Sequence, residues 1–213
     1  MKFAMAYSFG KDSALALHKM IQAGHEPICL ITAISNENGK SWTHGINTNI
    51  VQKTASALNL PIIEASCHSK NYTEVFESAL LKSAGMGAEC CAFGDIDIEP
   101  HLEWNISRCK SANIECAVPL WKMDREQAVA ELINCGFTAI IKVIEKRYFT
   151  NEFLGKVLDK EIIEKIRLTG ADVCGENGEY HTFVKDGPIF KEAVSITLGN
   201  IIDLGNYVAI DIN

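Results

Sequence analysis

Six short apolar runs punctuate the first 144 residues, at 2–7, 27–34, 61–65, 90–93, 114–118 and 139–144. A stretch with helical character follows each of the first five: Ala14–Ile21, a segment ending near Leu58, 72–83, Leu102–Ala112 and Arg125–Cys135. Strands joined through helices pair in parallel, and a sheet built this way needs helices on both faces to cover it. The rhythm changes after residue 145. A helix at Lys160–Thr169 leads into a glycine-studded region with strand-like runs at 180–185, 193–198 and 206–212. The pattern predicts an α/β chain with a mainly parallel, Rossmann-like sheet over 1–144 and a smaller α+β lobe over 145–213.

The first of these strands runs into Ser8-Phe9-Gly10-Lys11-Asp12-Ser13 and then straight into a helix. A strand–turn–helix junction points unpaired helix N–H groups at one spot and adds the positive end of the helix dipole, which suits an anion. Gly10 permits a turn or the close approach of a phosphate, Lys11 brings positive charge, and Ser8 and Ser13 bring hydroxyls. The spacing is neither Walker A nor Gly-x-Gly-x-x-Gly. The local chemistry also fits a plain capped helix start, with Asp12 as a first-turn acid. Were positive φ required at Phe9, its side chain would impose strain there.

Two further stretches stand out. Gly94-Asp95-Ile96-Asp97-Ile98-Glu99-Pro100-His101 follows a buried strand, where open α/β sheets bind ligands; Asp97 and Glu99 also fit as exposed edge residues. Gly175-Glu176-Asn177-Gly178-Glu179-Tyr180-His181-Thr182 concentrates polar groups between glycines and ahead of a strand. It reads either as a structural turn or as a cradle for a small polar group. Strand alternation places Tyr180 and Thr182 on one face and His181 on the other. The net charge of −7 argues against broad nucleic-acid binding. The eight cysteines lack any Cys-x-x-Cys pair and are expected to be reduced thiols. With no signal-like start and no apolar run of spanning length, the expected location is cytoplasmic.

Residues Ser8–Ser13 resemble the Ser-Gly-Gly-Lys-Asp-Ser loop of the PP-loop, or N-type, ATP pyrophosphatases, with Phe9 in place of the first Gly. Gly170–Phe190 resembles the signature of the diphthine–ammonia ligase (diphthamide synthase domain) family, Gly-Glu-(Gly/Asn)-Gly-Glu-(Tyr/Phe)-(Glu/His)-Thr followed by Asp-(Ala/Gly)-Pro-(Leu/Ile)-Phe. His44-Gly45, Gly94-Asp95-Ile96, His101, Trp104, Pro119-Leu120-Trp121, Gly136-Phe137 and Phe153-Leu154-Gly155 fall in that family's order. Leu102 stands where its members often carry Arg.

The resemblance implies an adenine nucleotide alpha hydrolase-like fold, ATP with Mg²⁺, adenylation of a substrate carboxylate, and displacement of AMP by ammonia. It implies nucleotide contacts from Ser8, Gly10, Lys11, Asp12, Ser13, His44, Gly94 and Asp95, with Asp12 holding Mg²⁺. It implies acceptor contacts from His101, Glu176, Asn177, Glu179, Tyr180, His181 and Thr182. Lys11, Asp12, Glu176 and Glu179 are the expected catalytic set. The acceptor implied is diphthine on elongation factor 2 where diphthamide is made. The Asn177, His181-Thr182 variant resembles bacterial relatives, for which a small-molecule acceptor is expected. A homo-oligomer is compatible with this reading. A tRNA-thiolating PP-loop enzyme and a noncatalytic ATP-binding sensor are the alternatives.

Overall fold

A computed structural model describes all 213 residues. Five strands form the first sheet: β1 (Lys2–Ala6), β2 (Glu26–Ser35), β3 (Ile62–Cys67), β4 (Cys90–Ala92) and β5 (Glu115–Ala117). Their spatial order is β3-β2-β1-β4-β5, and every pairing is parallel. The linking helices are α1 (Lys11–Gln22), α2 (Thr48–Leu58), α3 (Tyr72–Gly85) and α4 (Glu99–Ser111). Strand alternation divides the core between the two faces. Phe3 and Met5 of β1 pack in the cluster that contains Leu15, Ile50 and Val51 of α1 and α2. Ala4 between them packs in the cluster that contains Phe76 and Leu80 of α3 and Cys109 of α4. The expected α/β class, with helices on both faces, is the observed one.

From β1 the chain steps outward to β2 and β3, then returns to β4 on the other side of β1. The strand order therefore reverses between β1 and β4. Loops leaving the carboxyl ends of those two strands splay apart there and open a crevice. The loop after β1 is Tyr7–Gly10 and the loop after β4 is Phe93–Ile98.

Helix α5 (Arg125–Asn134) follows, with the Asp124 carboxylate accepting the Gln127 N–H at 2.9 Å as the N-cap. The next strand, β6 (Thr138–Glu145), departs from expectation. Residues 139–144 were expected to belong with the parallel sheet, yet β6 pairs antiparallel with β7 (Tyr180–Asp186) and β9 (Tyr207–Ile212). With β8 (Leu198–Leu204) these make a second, four-stranded sheet ordered β7-β6-β9-β8. A helical crossover precedes β6, but apolar periodicity does not say which sheet receives a buried strand. Strand β8 also lies later than the expected 193–198 run. As an edge strand with Leu198, Ile201 and Leu204 exposed, it lacks a clean burial pattern.

Helix α6 (Lys160–Thr169) is capped by Asp159 and ends on Gly170 at φ +81°. The Phe3–Met5 face of the first sheet and the inner face of the second share one continuous apolar cluster, so the two sheets pack as one body. All eight cysteines are free. No helix is long and apolar enough to cross a membrane.

Candidate active site at the strand-order reversal

The opening turn is held in an uncommon backbone shape. Phe9 sits at φ +71°, fully buried, its ring edge-on to Tyr7 at 5.3 Å between centroids. Its carbonyl accepts the Val184 N–H of β7 at 2.9 Å. The left-handed conformation costs a non-glycine residue of order 1–2 kcal/mol. Burial of the ring offsets that strain. Gly10 and Gly94 are required for a different reason. A Cβ on Gly10 would lie 2.4 Å from His44 Cε1, and one on Gly94 would lie 2.8 Å from the Asp12 carbonyl carbon and the Ser13 nitrogen. The β4 loop thus lies directly on the first turn of α1, and His44 lies against the residue that starts the helix.

The α1 N-terminus has no side-chain cap of its own at Gly10. Thr182 of β7 supplies one from the second sheet, its Oγ1 accepting the Lys11 N–H at 3.0 Å. The Ser8 and Ser13 hydroxyls lie 3.1 Å apart, and Ser13 Oγ donates to the Gly10 carbonyl at 3.0 Å. Thr182 therefore ties the two sheets together through the helix start.

Lys11 is buried at 6 % exposure, its Nζ 2.7 Å from Asp12 Oδ2 and 3.6 Å from Glu176 Oε1, and 5.9 Å from the Tyr180 ring centre. Burial disfavours its charge, but Asp12, Cys174, Tyr180 and Glu176 around it hold the pKa well above the usual lysine value. It is a fixed cation. Burial, then the neighbouring Asp12, push Glu176 up to about 7. Burial raises the Cys174 thiol, which is therefore protonated. One donor atom each from Asp12, Cys174 and Glu176 lies within 4.8 Å of the others. The opening turn and the loop 172–179 (about 160 residues apart in sequence) face each other across the crevice.

Glu179 is placed differently from the expectation. It is buried and does not line the crevice; its carboxylate accepts the N–H groups of Asp172 at 3.3 Å and Asn177 at 3.1 Å, and the Asn177 side-chain amide at 3.0 Å. Asn177 is spent on the same turn. The pair shapes the loop that presents Glu176. Gly10 also stays outside the lining, beneath His44.

The crevice has a volume of about 500 Å³. Ser8, Lys11, Asp12, Ser13, His44, Gly94, Asp95, His101, Glu176, Tyr180, His181 and Thr182 all line it. Asp95 is gripped by His101 Nδ1 at 3.0 Å and by the Asn105 amide at 2.8 Å. His44 Nδ1–H donates to the Thr182 carbonyl at 2.7 Å, leaving Nε2 free. Burial, the nearby His181 and the lysines lower the His44 pKa; burial, then Lys11 and Lys142, bring His181 down to about 4, so both rings are neutral at pH 7.

Sequence reasoning missed two parts of the site. One is an aromatic wall: Tyr72 lies 5.5 Å from Trp42 and 5.9 Å from Trp104, and Phe76 packs 5.2 Å from Trp104. The i, i+4 spacing of Tyr72 and Phe76 on a helix was the available signal. The other is Arg125, which pairs with Asp97 at 2.7 Å and Asp172 at 2.6 Å. It clasps the β4 loop to the loop that carries Glu176. Asp97, read as a candidate edge residue, has that partner.

Two family models match the chain: the diphthamide synthase N-terminal domain at residues 1–116 and the diphthamide synthase C-terminal domain at residues 124–208. The chain belongs to the diphthamide synthase family. Within that family, the human protein named diphthine–ammonia ligase is 26% identical over 229 residues, covering 95% of this chain and 85% of that one. The fission yeast protein of the same name is 24% identical over 234 residues, covering 95% of this chain but 37% of that longer protein. Among solved structures, a predicted subunit of tRNA methyltransferase from Methanocaldococcus jannaschii superposes with a TM-score of 0.49 at 19% identity, covering 91% of this chain and 100% of that one. In this diphthamide synthase family member the two matched segments part between β5 and α5, so β6 falls with the second.

Proposed function

We propose that the chain is an ATP-dependent amide-forming ligase: it adenylates a substrate carboxylate with release of pyrophosphate, then transfers ammonia with loss of AMP. The observation that carries this reading is the 3.6 Å approach of Lys11 Nζ to Glu176 Oε1 across the crevice. It brings a fixed cation from a helix-start anion site beside a carboxylate from the loop that precedes β7. The relatives named diphthine–ammonia ligase support the same reaction class.

A carboxylate oxygen is a poor leaving group toward ammonia, whereas an acyl adenylate readily loses AMP. In the first step an acceptor carboxylate oxygen attacks the α-phosphorus of ATP and the bond to the bridging oxygen of pyrophosphate breaks. Charge builds on phosphate oxygens, and preorganised donors and cations lower that barrier. Lys11 supplies the cation, and Ser8, Ser13 and the first turn of α1 supply the cradle, with Gly94 keeping it open. The aromatic wall gives an apolar surface of tilted rings that suits a base, and Asp95, oriented by His101 and Asn105, would accept from sugar hydroxyls.

Asp12 offers the hard oxygens that Mg²⁺ would take beside the phosphate cradle, while the protonated Cys174 thiol is no magnesium ligand. Both Asp12 oxygens accept from the Lys11 ammonium, at 2.8 and 2.7 Å, and would be shared with it. Asp12 would hold the ion, which supplies charge neutralisation on the phosphates.

In the second step the ammonia nitrogen attacks the acyl carbon and AMP departs with its oxygen. Glu176 accepts the proton that the attacking nitrogen must shed. Glu179 and Asn177 hold the Glu176 loop in place, and His181 and Tyr180 border the acceptor's path. Where the cell makes diphthamide the acceptor is diphthine on elongation factor 2; otherwise it is a small carboxylic acid. The expected setting is the cytoplasm.

The test is ATP, Mg²⁺ and ammonium with a panel of carboxylic acids, reading pyrophosphate and the amide by mass. Acceptor-dependent pyrophosphate and AMP are expected. Lys11→Ala lowers the rate by roughly 10²–10³-fold, the scale of losing one preorganised charge-stabilising donor. Formation of ADP and phosphate, or an unchanged rate in Lys11→Ala, refutes the reading.

A further inference from the structure

Behind the main crevice lies a second pocket of about 280 Å³, and the two share Trp42, Thr43, His44 and His181 as a common wall. Its other lining residues are Gly45, Lys142, Val143, Leu204, Tyr207 and Ala209. Lys142 sits mid-strand in β6, flanked by β7 and β9 and only 4 % exposed. Its ammonium makes no ion pair or hydrogen bond. The nearest acid, Asp211, is engaged by Lys40 at 3.0 Å, and Lys40 itself adds repulsion.

The backbone aims this side chain. On β6, Ile141 pairs with Thr182 and Val143 with His181, so Lys142 is the extra residue of a β-bulge. A bulge re-directs a side chain out of the alternating pattern and recurs beside functional sites. Gly45, at φ +60°, completes the wall; a Cβ there would lie 3.6 Å from Lys142 Nζ. The Lys142 side chain is buried along its stem while Nζ reaches the pocket space, and a cation so desolvated gains from an anionic partner. The pocket therefore presents a positive group whose donors no protein acceptor takes up.

We propose that this pocket is a subsite for an anionic group on the acceptor, received by the Lys142 ammonium with Thr43 and Tyr207 as hydroxyl partners. On the small-acid branch of that reading, the acceptor of this chain is then a carboxylic acid that carries a second acidic group, which diphthine does not. One carboxylate is activated in the main crevice while the other anchors the molecule beyond His44 and His181. The inference rests on the ligase reading and narrows it to a class of acceptor. The ATP phosphates are the other anion that could reach Lys142, and they are separable by experiment.

Calorimetric titration of the full chain with glutarate, with butyrate as the single-charge control, tests the subsite without catalysis. Glutarate is expected to bind about tenfold or more tightly than butyrate, as a charge-assisted contact of this kind allows. Lys142→Met removes that preference, Lys142→Arg retains it, and ATP affinity is the same in both variants. Equal binding of the two acids to wild type, or equal glutarate binding by wild type and Lys142→Met, overturns the proposal. Weakened ATP binding with glutarate binding intact assigns Lys142 to the phosphates and overturns it as well. Failure of the ligase reading is distinct: glutarate binds through Lys142, yet no acid elicits pyrophosphate.

Discussion

Phe9 offers a test of the opening turn, because two opposing terms meet in one residue. Its backbone sits at φ +71° and its side chain is fully buried against Tyr7. Truncating a buried Phe to Ala costs about 3–5 kcal/mol. Glycine relieves the left-handed strain by about 1–2 kcal/mol and gives back part of that through greater freedom in the unfolded chain. Phe9→Gly should therefore lose about 2–4 kcal/mol, which for a chain of this size lowers Tm by roughly 5–15 °C. Phe9→Ala loses the same ring and keeps the strain, so it should be less stable than Phe9→Gly by about 1 kcal/mol. Paired urea and calorimetric unfolding of the three proteins measures both differences. If Phe9→Ala equals or exceeds Phe9→Gly in stability, the turn does not need positive φ at this position, and the reasoning fails.

Lys142→Met should stabilise the protein. Burial, then repulsion from Lys40, lowers the Lys142 pKa from 10.5 to about 8. The unfolded chain therefore binds more protons between these values, and wild-type stability rises with pH across that window. The gain from Lys142→Met is about 3 kcal/mol at pH 7 and shrinks as pH rises from 8 to 10.5; a pH-independent difference would contradict the burial of the charge. Thr182→Val keeps the shape but removes the acceptor for the Lys11 N–H, so a loss of about 1–2 kcal/mol in urea unfolding is expected, with weaker ATP binding. Unchanged stability would show that the cap is dispensable.

How far the site could be read in advance depends on how far each contact reaches. The turn at Ser8–Ser13 and the loop 175–182 announce themselves locally, because strained turns and helix starts restrict residue type over a few positions. The roles within the second loop do not. Glu176 and Glu179 are equivalent as letters, and the hydrogen bonds from Asp172 and Asn177 alone turn Glu179 inward while Glu176 faces Lys11. Arg125 and Asn105 sit on ordinary helical stretches, where charged and polar residues carry no mark of a distant partner.

The alternation of strands and helices through β5 and the glycine-bearing turn that starts α1 follow from short-range periodicity and backbone sterics, which a linear chain displays. The assignment of β6 to the second sheet, the capping of α1 by Thr182 and the bulge that aims Lys142 into a pocket depend on pairing between distant segments. Burial tells a strand only to leave water, and several sheets can satisfy it. Geometry in three dimensions chooses the neighbour, and with it the charge that each buried group meets.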